Sequence, residues 1–142
     1  MTPILLGRWQ TRIFLASTAG VVITIIFGLA YDRLQELSVL LLDVTLLGLV
    51  LDIFYTQLQL FRWDNDWPPA FHVLTGILEG ALIWFLVKNP IFWDRLPGMA
   101  HLLTFRQFLA HYSTVFIVTF FINWNLMKVI FPHWRYRGGR II

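Results

Sequence analysis

The residues that invite chemistry are ionisable side chains lodged in otherwise apolar runs: Asp43, Asp52, His72, Glu79 and His111. A charge in hydrocarbon costs roughly 3 kcal/mol on insertion scales, so each should face protein or a cavity rather than lipid. His72, Thr75, Gly76 and Glu79 follow the three-four spacing of one helical face, and Thr45, Gly48, Asp52, Thr56 and Gln59 follow it on another. Folded about a short connection centred near 65–66, the two stripes meet rung by rung. Gln59 then lies opposite His72, Thr56 opposite Thr75, and Asp52 opposite Glu79, the last pair near the bilayer midplane.

Two carboxylates side by side in low dielectric cannot both stay ionised unless a cation bridges them. The seam of Asp52, Glu79, His72, Gln59, Thr56 and Thr75 therefore suits a carboxyl pair that fixes helix register, or a proton or cation site. The register role ranks first. Asp43 points to the opposite side of its helix from Asp52. By depth it matches His111, giving a candidate outer ion pair for which Arg106 competes.

No metal site is called from these residues, and no cofactor is required. A bis-histidine haem needs two imidazoles at one depth. His72 and His111 enter at opposite ends of their spans, while His101 and His133 fall in boundary segments. This argues against a haem within one chain and leaves open one shared between subunits.

The elements that must position these side chains follow from composition. Of the 142 residues, 58% are hydrophobic and 13% charged, with mean hydropathy +0.68. A soluble domain carries about 25% charge, and no globule this small could bury so much apolar surface. The expected fold is an all-α integral membrane protein, four transmembrane helices in an up-down bundle. Four stretches approach the roughly 20 residues that cross a bilayer. They are about 12–30, 37–61, 69–87 and 107–131, with an interfacial segment at about 88–105 and a basic, aromatic tail at 132–142. The first lacks a cleavage site and reads as a retained span. The whole chain is expected to form one membrane domain.

The small-residue ridges Ala16, Gly20, Thr24, Gly28 and Gly76, Gly80 let membrane helices approach closely, and helix packing is their expected role. Asn123 and Asn125 are expected to serve as interhelical glue. In the tail, Trp134, Arg135, Tyr136, Arg137 and Arg140 suit a headgroup anchor or a partner-docking segment. Counting Arg and Lys near the span ends places seven on the side of the termini and four on the other. Both termini are therefore expected in the cytoplasm of a bacterial-type inner membrane, or of an internal membrane derived from it.

The chain has no cysteine, which excludes disulfides and thiol chemistry. No Walker loop, His-Glu-x-x-His or Gly-x-Ser-x-Gly occurs, so an enzyme is not the first reading. Nor is nucleic acid an expected partner. The first expectation is an accessory or assembly subunit of a larger membrane complex, with other membrane subunits or itself as partner. The second is an oligomeric proton or cation channel or transporter. The third is a membrane-embedded redox-cofactor protein or enzyme.

Overall fold

A computed structural model describes residues 4–61, 68–89 and 102–130 of the chain. It comprises four long helices: α1 (Leu5–Tyr31), α2 (Leu34–Leu60), α3 (Pro69–Lys88) and α4 (Phe105–Leu126), the last extended by a turn at Met127–Ile130. All four are long and apolar enough to cross a membrane, and the described residues contain no strand. Helix is the form an apolar run must take where no water is present, because it satisfies every backbone group within the segment.

The helix ends follow local chemistry. α1 and α2 each have 27 residues, about 40 Å at 1.5 Å per residue, longer than the hydrocarbon thickness. α1 begins at Leu5 rather than near residue 12, so Arg8 and Arg12 fall inside it. Their cationic heads find partners on other helices, and the helix does not stop for them. α2 begins at Leu34, where Arg33 pairs with Glu36 at 3.1 Å across the first turn. Pro69 occupies the first turn of α3, the position where its missing N–H costs nothing. α4 opens on a capping box formed by Thr104 and Gln107. The interfacial segment, the second connection and the aromatic-basic tail, with Trp134, Arg135, Tyr136, Arg137 and Arg140, lie largely or wholly outside the described residues.

α1 and α2 join through one residue in the left-handed region, Asp32 (φ 52°). The Arg33 N–H donates to the Gly28 carbonyl at 2.9 Å, closing the turn. A Cβ on Gly28 would stand 2.8 Å from the Leu34 Cα, so the hairpin closes this tightly only over a glycine. Gly20 likewise faces Leu41 of α2, while Thr24 from the same ridge turns to α4. On α3, Gly76 and Gly80 receive the rings of Phe116 and Tyr112 from α4, and the Tyr112 hydroxyl donates to the Gly76 carbonyl at 2.6 Å.

The two ends of the bundle differ. At the end carrying Tyr31, Leu34, Lys88 and Phe105, buried Leu37, Leu40, Ile83, Val87, Leu103 and Phe108 form a dry core. At the end carrying Leu5, Leu60 and Pro69, the interior is polar. Two helices widen to i→i+5 turns next to that polar interior, α1 at Ala16–Gly20 and α4 at Ile122–Leu126.

Candidate functional site

The site is built around one guanidinium. Arg12 on α1 reaches between α2 and α3 and binds a carboxylate on each. Its Nε and Nη2 donate to the two Asp52 oxygens at 2.9 and 3.1 Å. Nη1 and Nη2 donate to the two Glu79 oxygens, both at 3.1 Å. Four of the five guanidinium N–H groups are thus spent in two bidentate forks, the geometry for which arginine is suited and lysine is not. The side chains of Asp52 and Glu79 are 5% and 9% exposed, against 23% for Arg12. The accessible part of the clasp is therefore mainly the arginine.

Gly48, one turn before Asp52, makes the clasp sterically feasible. A Cβ at that position would overlap Arg12 Nη1 and Cζ. Arg8, one turn before Arg12, lies on the same face of α1, and its Nη2 donates to Gln59 Oε1 at 2.7 Å. The indole of Trp9 donates to the Leu49 carbonyl at 3.0 Å. This tryptophan thus satisfies its N–H on the backbone of α2.

Among the residues of the expected seam, Asp52 and Glu79 share the Arg12 guanidinium, at the common depth that the hairpin of α2 and α3 implies. The bridging cation is a side chain from a third helix. Gln59 bonds Arg8. Thr56 and Thr75 donate back to their own helices, to the carbonyls of Asp52 and His72. His72 packs in a row of α4 rings, 6.2 Å from Phe116, 5.6 Å from Phe120 and 6.5 Å from Trp124 between centroids. The imidazole is held against the fourth helix instead of joining the carboxylates.

The outer trio is arranged differently from the depth argument. His111 is buried, and its Nε2 lies 2.9 Å from Thr24 Oγ1. Because the Thr24 hydroxyl donates to the Gly20 carbonyl at 2.8 Å, its oxygen is free to accept from an Nε2–H. Among the described residues Asp43 pairs with neither His111 nor Arg106, and Arg106 faces outward. Equal depth does not make neighbours: the side chain that His111 meets is Thr24 on α1.

Beside the clasp lies a cavity of about 120 Å³ bordered by all four helices. Arg8, Arg12, Asp52 and Glu79 form its polar wall, and Leu15, Val44 and Val115 belong to its apolar wall. Asn123, inside the wide turn of α4, also borders it. It is 6% exposed, and its Oδ1 has no hydrogen-bond partner among the described residues. Asn125 faces outward and bonds its own helix at Phe121. No three His, Cys, Asp or Glu side chains among the described residues are grouped to hold a metal ion.

The residue that sequence reasoning missed is Arg12, placed by hydropathy at the membrane boundary. The signal that reveals it is depth in the first hairpin. Arg12 and Asp52 each stand twenty residues from the turn residue Asp32, so they share a level. Comparison with protein-family models, curated proteins and solved structures finds no match for the chain.

Proposed function

We propose that the chain is an up-and-down bundle with both termini in the cytoplasm, serving as an accessory or assembly subunit of a larger complex in a bacterial-type inner membrane. The observation that supports this reading is the clasp. Asp52 and Glu79, which a cation pathway would need, are both engaged by a permanently charged guanidinium. A buried ion network of this kind gives little net stability but sets which helix faces meet, a fitting task for a scaffold subunit. Large apolar side chains face outward on every helix, among them Ile26, Leu29, Leu46, Ile77, Phe85 and Phe121. That surface is available to lipid or to a neighbouring subunit. The orientation rests on the basic residues near the span ends, five against four once Arg8 and Arg12 are counted within the bundle.

Extraction from the native membrane in mild detergent, followed by native mass measurement, tests this role. Co-migration with other membrane subunits at fixed stoichiometry is expected. A homogeneous assembly of this chain alone overturns it. One observation favours the second reading, a proton or cation path: the cavity reaches both carboxylates. Flux in proteoliposomes that disappears in Asp52→Asn, with the helices intact, would establish that reading instead.

A further inference from the structure

We propose that the cavity beside the clasp binds a neutral, planar headgroup with hydrogen-bonding oxygens and an apolar tail, the chemistry of a membrane quinone. Charge comes first. The wall carries two arginines, Arg8 and Arg12, and two carboxylates, Asp52 and Glu79. The set sums to zero, so an ion entering it would bring an unpaired charge into low dielectric. A neutral guest brings none.

Shape comes second. The Tyr112 and Phe116 rings border the cavity and lie 9° from parallel. The His72 imidazole, also at its edge, is 25° from the plane of Phe116. These three rings border the cavity in nearly parallel planes, a flat aromatic lining suited to a planar guest.

Hydrogen bonding comes third. Asn123 is more than nine-tenths buried and its carboxamide oxygen lacks a partner among the described residues. Such a group in a native interior calls for an explanation, and a ligand is one. The fifth N–H of Arg12 remains after the two forks. The Asn123 oxygen can accept from a hydroxyl of the reduced quinol, and the guanidinium N–H can donate to an oxygen of either redox form.

The fourth observation is independent of the side chains. The wide turns of α1 and α4 both border this cavity, at Ala16 and at Asn123. Turns of this type are uncommon and recur at functional sites. Binding alone is proposed, with no electron transfer, and the proposal does not depend on the accessory role.

The test uses the full chain in detergent micelles with decylubiquinone as the probe. Its readouts are quenching of the seven tryptophans and the melting temperature. Saturable quenching and a raised melting temperature are expected. Asn123→Leu, which fills the space and removes the amide, should weaken binding at least tenfold. Ala16→Leu fills the cavity from α1 and should do the same, guarding against a folding defect in the first variant. Leu126→Ala, on the outward face, should bind as wild type. Quenching that rises linearly and equally in all variants is partitioning into the micelle and overturns the proposal. So does stabilisation by sodium chloride or sodium phosphate that the two filled variants lose.

Discussion

Arg12 turns a pair of carboxylates that would repel each other into a fastener between three helices. Removing one partner from a buried ion network leaves the others without compensation, at about 3–5 kcal/mol. Arg12→Ala should therefore lower the stability of the folded protein by that order, measured by thermal melting in detergent. Adding Asp52→Asn and Glu79→Gln to that variant should restore most of the loss, because no buried charge is then left unpaired. A triple variant as unstable as Arg12→Ala would show that packing of the arginine stem, not charge, is what matters. Gly48→Ala tests the path of the side chain. It should cost about 1–3 kcal/mol as an overpacked contact, and clearly less in the Arg12→Ala background. Equal cost in both backgrounds would mean that the guanidinium does not depend on Gly48.

At the scale of elements, the hairpin of α1 and α2 sets the depth at which Arg12 meets Asp52. Its turn places opposite demands on two neighbouring positions. Asp32 adopts a positive φ that glycine takes without strain. Asp32→Gly should accordingly leave stability unchanged or raise it by up to about 1 kcal/mol. Gly28→Ala should destabilise, since its Cβ would press on the Leu34 backbone. Comparing the two melting temperatures checks the turn, and a stabilising Gly28→Ala would contradict the close approach. The wide turns are the other feature of this scale. In α1 the Phe14 carbonyl accepts from the Ser17 and Thr18 hydroxyls at 3.1 and 2.7 Å. Side-chain bonding of this sort competes with the backbone ladder and accompanies a bent or loosened helix.

Over the whole molecule, the division between a dry end and a polar end concentrates the chemistry on one half of the bundle. The dry half, from Leu37 to Phe108, holds the helices by packing. The polar half can therefore retain a cavity without loss of the fold. If the accessory role is right, the complex should survive Asp52→Asn combined with Glu79→Gln and Arg12→Ala, while large polar substitutions at outward positions such as Leu29 or Ile77 release the partner. Native mass measurement on both sets reads this directly. Retention of the partner in the outward variants would place the interface elsewhere.

Hydropathy alone is enough to set the class of molecule, because it is a local sum and four runs of sufficient length leave lipid as the solvent. Residue order also set the level of Asp52 and Glu79, since a short connection between two straight helices makes depth a matter of counting. Tertiary structure alone decided who stands beside whom at that level. Arg12 looked like a boundary residue because charge ends an apolar run in one dimension, whereas in three dimensions two carboxylates accept it inside. His111 met Thr24 instead of Asp43 for a related reason. Depth constrains one coordinate, and the rotation and neighbour order of the helices follow from side-chain packing, such as the rings of α4 seated on Gly76 and Gly80, which no spacing within a single helix encodes.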